Sequence, residues 1–341
     1  MTEEVRPLTW QQDHLLLLDQ TLLPLQEVYV EIRDVDQLVD AIVRLVVRGA
    51  PALGATGGYG VALAMVQGER EGWSADRLEL EIDRIRDARP TAVNLAWGVE
   101  RVRPRVSEGL AAALAEADAI WSEDAAGNRR MGEVGADWIE AHVERRPIRI
   151  ITHCNTGPIA TTEWGTALGV IRTLHERGLV ELVYADETRP LLQGSRLTAW
   201  ELGRAGIPYQ VEADGAAAST ILRGLVDVAL IGADRIAANG DTANKVGSLT
   251  LALACKEAGI PFLTVAPTTT VDLSTKTGED IHIELRDGDE VLTYAGQRVA
   301  PLDAEGFNPA FDVTPARFIS AIITEVGAIE VAAGQTPQSR L

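Results

Sequence analysis

The sequence predicts an α/β protein in two parts, a smaller and mostly helical domain with a few N-terminal strands over residues 1–145 and a doubly wound parallel sheet over residues 146–341. Three observations predict this. The chain has 341 residues, too many for one ordinary core and enough for two. Through most of the first part, apolar residues recur at helical spacing. Beyond it, short β-rich runs alternate with helix-like stretches, and strand followed by helix, repeated, builds a parallel sheet because parallel strands need a crossover. The second part is therefore expected to be Rossmann-like.

The first 32 residues alternate short apolar runs with turn residues, as in Leu15 to Leu18 and Val28 to Ile32, and read as strands or a hairpin. Asp34 then has the character of a helix cap. Val35, Leu38, Val39, Ile42, Val43 and Val46 share one helical face, and the helix should stop at Arg48-Gly49-Ala50-Pro51, a candidate binding loop. From Pro51 to about Arg145 the pattern is helical, interrupted at Arg89-Pro90-Thr91. The run Gly54 to Gly60 lacks the glycine spacing and the preceding strand of a dinucleotide site, and reads as a tightly packed helix start. Glu144-Arg145-Arg146-Pro147 is polar and proline-terminated, which suits an interdomain connection. The β-rich runs then cover 148–151, 180–184, 209–211, 228–231 and 262–265, with helices expected near Glu163, Gly194, Ala216 and Asn244. Ligands of such sheets collect at the carboxyl ends of the strands.

Composition narrows the function. With 46% apolar and 24% charged residues the chain is globular. A net charge of −19 repels a nucleic-acid backbone, yet a small anion needs only a local cluster of cations and amides. There is no apolar run of about 18 residues or more and no signal-like start, so a cytoplasmic protein without membrane contact is expected. Cys154 and Cys255 are the two cysteines, too few for a disulfide framework. No glycine-lysine pair exists for a Walker A loop, and His14, His142, His153, His175 and His282 show no metal-ligand spacing. No metal and no organic cofactor are expected.

Two residues stand where chemistry is expected. Cys154 follows the first strand of the second part, before the next helix, where exposed amides favour a thiolate; the alternative is a small buried hydrophobe. Asp234 ends the apolar run Asp227 to Ala233, where an apolar wall can prepare a carboxyl for proton donation; it could equally cap a turn or pair with Arg235. Arg48-Gly49-Ala50, Arg89 and Asn244-Lys245, read as a helix opening, each offer cationic or amide donors to an anion. Singly these are ordinary element ends. Together they point to a phosphate.

The stretches Leu18 to Pro24, Val47 to Pro51, Arg89 to Leu95, Thr152 to Asn155, Glu187 to Gly194 and Gly232 to Asp241 with Asn244-Lys245 resemble those of methylthioribose-1-phosphate isomerases. That superfamily also holds ribose-1,5-bisphosphate isomerases and the α, β and δ subunits of translation initiation factor 2B. The resemblance runs from about Leu8 to Gly327. It implies that Cys154 and Asp234 are the catalytic pair, that Arg48, Gly49, Ala50, Arg89, Gln193, Asn244 and Lys245 bind a sugar phosphate, and that the protein is a homodimer acting in methionine salvage. Two stretches depart from the pattern: Pro158-Ile159, and Ala213 to Ser219, which bears on a sugar-facing role for Asp214. The alternatives are a ribose 1,5-bisphosphate or other 5-deoxypentose 1-phosphate isomerase, and a non-catalytic subunit that senses a sugar phosphate or nucleotide.

Overall fold

The computed structural model describes residues 5–89 and 93–341. Its amino-terminal apolar runs form an antiparallel sheet of β1 (Leu8–Gln11), β2 (His14–Leu18) and β3 (Tyr29–Ile32), with β2 in the middle. Leu15, Leu17 and Leu18 are fully buried. Helix α1 (Val35–Val43) follows, capped as expected by Asp34, whose carboxylate accepts the Gln37 N–H and satisfies one orphan donor of the first turn. The helix stops before the expected Arg48 because Leu45 takes a left-handed φ of 66°. Val46 and Val47 are nonetheless buried, which explains why the apolar repeat outran the helix.

Four helices complete this part: α2 (Ala50–Glu71), α3 (Ala75–Arg86), α4 (Val93–Val102) and α5 (Leu110–His142). Pro90, Thr91 and Ala92, where an interruption was expected, lie outside the described residues. The glycine-rich run sits in the first half of α2 and lets its backbone meet that of α4. A Cβ on Gly57 would lie 2.5 Å from the Leu95 carbonyl oxygen, and one on Gly98 would overlap the Gly54 carbonyl. Only glycine allows that approach.

Beyond α5 come β4 (Ile148–Thr152), α6 (Ala167–Glu176), β5 (Val180–Asp186), α7 (Ala199–Arg204), β6 (Tyr209–Glu212), α8 (Ala217–Leu222) and β7 (Val228–Ile231). An excursion follows, β8 (Arg235–Ala237) and β9 (Thr242–Lys245), before α9 (Ser248–Ala258) and β10 (Phe262–Val265). The remainder holds β11 (Val271–Asp272), α10 (Asp289–Leu292), β12 (Thr293–Tyr294), β13 (Gln297–Arg298), β14 (Phe311–Thr314), β15 (Ala321–Thr324), β16 (Gly327–Ile329) and α11 (Pro337–Arg340).

Seven strands form the main sheet in the order β6-β5-β4-β7-β10-β15-β16, parallel throughout except for the β15–β16 pair. The expected doubly wound sheet is present. Its order reverses between β4 and β7, the switch point at which ligands collect in such folds. Strand β7 is buried at every position, as a strand covered on both faces must be. A second sheet, β11-β8-β9-β14, carries β9 antiparallel to both β8 and β14. Among the described residues no helix is long and apolar enough to cross a membrane.

The chain divides into one unit of Met1–Arg129 with Thr156–Gly165, and another of Arg130–Asn155 with Thr166–Leu341. These limits differ from a single cut after residue 145. The end of α5 contributes Met131, Ala136, Ile139 and Val143 to the apolar cluster of Ile148, Ile150, Leu168 and Ile171. Conversely, the segment after Asn155 is tied to the first unit, where Gln20 donates to the Ile159 carbonyl and Asp124 accepts from the Thr162 backbone and hydroxyl.

Gly98→Ala should force α2 and α4 apart. Overpacking of this kind costs about 1–3 kcal/mol, so urea unfolding should show a loss of that size. A variant as stable as the parent would mean that the two backbones are free to separate.

Candidate active site

Strand β4 delivers His153, Cys154 and Asn155 to the carboxyl edge of the sheet. Cys154 takes a left-handed φ of 64°, a conformation that persists in a non-glycine residue only when its surroundings impose it. Here the partners are specific. The Cys154 N–H donates to Thr188 Oγ1 at 2.9 Å, and the Cys154 carbonyl accepts from Thr198 Oγ1 at 2.6 Å. Thr188 passes its own hydrogen to the Asp186 carbonyl at 3.0 Å, while Thr198 accepts from the Asn155 amide at 3.2 Å. The same amide reaches Glu201 at 2.5 Å. All of these side chains are buried, so the turn that aims the thiol has its polar groups satisfied within the protein.

This differs from the expected cause of reactivity. No α-helix starts at Cys154: a short 3-10 turn covers Pro158–Ala160, and α6 begins only at Ala167. The thiol is positioned by a strained strand end and two threonine hydroxyls. Cys255, inside α9, is fully buried, and that burial pushes its thiol up to about 12.

Asp234 follows β7 after two small residues, with its N–H donating to the Ala243 carbonyl at 2.9 Å. The strand before it is wholly buried, but Asp234 itself is exposed. The expected apolar wall thus ends at the strand and does not enclose the carboxylate. Arg235, the alternative partner, faces Asp272 at 3.8 Å.

Asn244 and Lys245 do not open a helix. They lie on β9, opposite Asp312 and Phe311 of β14, and α9 starts at Ser248 after the turn of Val246 and Gly247. Polar residues at a strand end preceding a helix carry the same signature as a helix start, so residue pattern alone does not separate the two. Asn244 is buried and donates to Ser248 Oγ at 2.8 Å. The Lys245 ammonium donates to the Ala310 carbonyl at 2.9 Å and lies 4.6 Å from the centre of the Phe311 ring. Gln193 is buried after β5, and its Oε1 meets no donor within the described chain, a costly state that a bound hydroxyl would relieve. Cys154, Gln193 and Asp234 all stand on connections leaving the carboxyl ends of β4, β5 and β7, with Asn244 and Lys245 on the excursion after β7.

The other anticipated residues belong to the first unit. Arg48 and Arg89 are half-buried. Gly49, with φ 96°, stands directly before α2, and Ala50 opens that helix. Any side chain on Gly49 would strike the Ala160 carbonyl, so the loop is built against the segment that follows Cys154 in sequence.

Asp214 has a role that the sequence left unsettled. Its two carboxylate oxygens accept the N–H groups of Thr188 and Arg189 at 2.7 and 2.6 Å. It anchors the turn that holds Cys154. A grouping of metal-ligand types also occurs at His153, Asp186 and Asp214, whose donor atoms lie within 4.8 Å of one another. Both His153 nitrogens and both Asp214 oxygens are engaged in the hydrogen bonds of the protein itself. Sequence reading missed Thr188, Thr198, Asp186 and Glu201, because nothing local in a threonine or carboxylate marks a partner some 30 or 40 positions away.

A family model described as the initiation factor 2 subunit family matches residues 46–331. The chain belongs to that family. It is 48% identical over 336 residues to the methylthioribose-1-phosphate isomerase of Pseudomonas syringae pv. syringae, covering 96% of this chain and 93% of that protein. It is also 48% identical to a probable bifunctional methylthioribose-1-phosphate isomerase/methylthioribulose-1-phosphate dehydratase of Nocardia farcinica, covering 98% of this chain and 61% of that longer protein. The crystal structure of 5-methylthioribose 1-phosphate isomerase from Pyrococcus horikoshii is 40% identical, with a TM-score of 0.88 over 99% of this chain and 95% of that one. A structure described as translation initiation factor eIF-2B, subunit delta, from A. fulgidus is equally identical at 40%, with a TM-score of 0.85 over 97% of each chain. By its near full-length relatives the chain belongs to the methylthioribose-1-phosphate isomerases.

Brief treatment with iodoacetamide at about pH 8 should modify Cys154 faster than Cys255, since only a thiolate reacts and Cys255 is sealed inside α9 with its thiol pushed up to about 12, whereas Cys154, though buried, keeps 6% exposure at the sheet's carboxyl edge. Mass spectrometry would show it. Equal labelling of both would remove the distinction drawn between them.

Proposed function

We propose that the chain interconverts 5-methylthioribose 1-phosphate and 5-methylthioribulose 1-phosphate, an aldose–ketose isomerisation of methionine salvage. What carries this reading is the near full-length identity to isomerases combined with a cysteine held in a left-handed turn at the sheet's switch point. A homodimer and a cytoplasmic location go with the same reading.

The substrate sets a particular problem. A phosphate on the anomeric carbon prevents the ring from opening spontaneously to an aldehyde, so an acid must first protonate the ring oxygen. In this proposal Asp234 is that acid, and the bound sugar supplies the desolvation that favours a neutral carboxyl. The hydrogen on C2 must then reach C1. Either the Cys154 thiolate removes it as a proton and returns it through an enol phosphate, or it migrates as a hydride while Asp234 takes the proton of the C2 hydroxyl. Turnover in deuterated water separates the routes, because solvent deuterium enters at C1 only in the first.

Arg48, Gly49, Ala50 and Arg89, with Gln193, Asn244 and Lys245, hold the sugar phosphate in this reading. A second phosphate would need a second cationic cluster, for which Arg189 and Arg196 are the residues at hand; Arg196 donates to the Leu191 carbonyl at 3.1 Å, and Arg189 is engaged further. Its guanidinium donates to the carbonyls of Pro190, Glu290, Val291 and Thr293 and lies over Tyr294 at 5.7 Å. Those bonds commit it to tying its loop to α10 and the start of β12. Turnover of methylthioribose 1-phosphate and ribose 1,5-bisphosphate side by side tests the substrate, and no turnover of either would favour a sensing subunit.

Asp234→Asn should fold and bind substrate but lose about a hundredfold or more of kcat, the usual scale of general acid catalysis. Turnover within about threefold of the parent would reject the acid role. Lys245→Ala should raise KM, and Arg48→Ala should do so more strongly because a guanidinium can grip two phosphate oxygens. A charge-assisted hydrogen bond is worth about 1.5 to 3 kcal/mol, which corresponds to a loss of roughly tenfold to a hundredfold in kcat/KM. Calorimetric titration with the sugar phosphate and with its dephosphorylated form checks this; unchanged binding of both would move the phosphate elsewhere.

A further inference from the structure

His153, the residue before Cys154, has no part in the chemistry proposed above. Its side chain is fully enclosed. Nδ1 lies 2.8 Å from Asp186 Oδ2, and Nε2 lies 2.8 Å from the Val246 carbonyl oxygen. A carbonyl only accepts, so Nε2 carries a hydrogen. The contact between Nδ1 and Asp186 needs a proton of its own, since otherwise a nitrogen lone pair would face a carboxylate in a site closed to water. With Asp186 ionised, two acceptors on one imidazole ring call for the doubly protonated form.

These bonds join three places in the second unit. His153 ends β4, Asp186 ends β5, and Val246 begins the turn between β9 and α9. The ring packs directly on that turn, where a Cβ on Gly247 would lie 2.6 Å from the imidazole Cε1. From the other side Asp312 of β14 accepts the N–H groups of Gly247 at 2.7 Å and Leu249 at 3.1 Å. The turn is thus held between an imidazole and a carboxylate. It immediately follows Asn244 and Lys245.

We infer that His153 and Asp186 are positioning residues: an imidazolium bridged to a carboxylate clamps the Val246 carbonyl and thereby fixes Asn244 and Lys245 for the phosphate. The functional half rests on the phosphate role proposed for those two residues, and the protonation half does not.

The groups facing His153 are all acidic: Asp186 of β5, Asp214 after β6, and Asp312 of β14, with Glu212 beyond Asp186. Burial alone would drive the ring neutral, but Asp186, Asp214 and the Val246 carbonyl outweigh it and raise His153 above its ordinary value. Burial pushes Asp186 up to about 6 against the pull of His153, which leaves it ionised at pH 7. Because the folded value of His153 is raised above the ordinary histidine value of about 6.5, the imidazolium half of the clamp is lost only as pH rises through that raised value. The carboxylate half is lost at the other end, as pH falls through about 6 and Asp186 takes up a proton.

Two measurements test this on the full chain. With 15N-labelled histidine, NMR at pH 7 should show both ring nitrogens of His153 protonated, and only Nε2 protonated in Asp186→Asn, whose amide donates to a neutral ring. A single protonated ring nitrogen in the parent would overturn the protonation claim whatever the variants do. For the positioning role, Asp186→Asn keeps both hydrogen bonds and should hold KM within about threefold of the parent. Asp186→Leu breaks the clamp and should raise KM about tenfold, the scale of one buried hydrogen bond, with a smaller change in kcat. A tenfold rise in Asp186→Asn, or a folded Asp186→Leu with the parent's KM, would overturn the positioning role. If Lys245→Ala leaves KM unchanged while the ring signals are as expected, the phosphate assignment has failed and the clamp has not.

Discussion

The left-handed turn at Cys154 is the constraint on which the arrangement of the second unit's edge depends. A cysteine in that conformation reverts to an extended one unless both sides of its peptide frame are held, and here one threonine hydroxyl takes its N–H while another binds its carbonyl. Each threonine is then held in turn. Thr188 sits in a loop whose amides are gathered by Asp214, and Thr198 leads into α7, where Glu201 secures Asn155. Strand ends β4 and β5 and the start of α7 are thereby tied around one thiol. The strain is tolerated here because a backbone strain of about 1–3 kcal/mol is kept only where surrounding bonds outweigh it.

Electrostatics follow the same local logic. A net charge of −19 opposes any anion at long range, but with a screening length of about 8 Å in physiological salt a distant carboxylate counts for little. The nearby groups decide. Several of the acidic side chains around the edge are committed to backbone amides, as Asp214 is to Thr188 and Arg189 and Asp312 to Gly247 and Leu249. A carboxylate that accepts amide hydrogens is neutralised in part and doubles as structure. Lys245 lies against an aromatic face and a carbonyl, which restricts the ammonium to one region.

Two of the differences between sequence pattern and structure have one explanation. Asn244 and Lys245 carry the pattern of a helix start and Cys154 that of a residue near one, since polar residues between an apolar strand and a helical repeat look alike whether they cap the helix or belong to an intervening strand or loop. The excursion β8–β9 separates the two cases, and it pairs with β14, some 65 residues further on. Asp234 shows the same limit in a different form. Its strand is apolar and buried, yet burial of a strand does not extend to the residue three positions past its end.

Sequence by itself determined what depends on neighbours along the chain. The strands near the amino end, the Asp34 cap, the helical character of the first part and the alternation that makes a doubly wound sheet are all periodic or local signals, and each follows from side-chain spacing on a single element. The motif stretches also pointed to the family, because runs of residue identity can be matched without any knowledge of geometry. Tertiary structure alone decided the rest. That Thr188, Thr198 and Asp214 hold Cys154, that His153 bridges Asp186 and Val246, and that residues 156–165 leave the sheet to join the first unit are pairings across 25 to 139 positions. Hydrogen bonds of that span carry no periodic trace, since their partners become neighbours only after the strands have taken their order in the sheet.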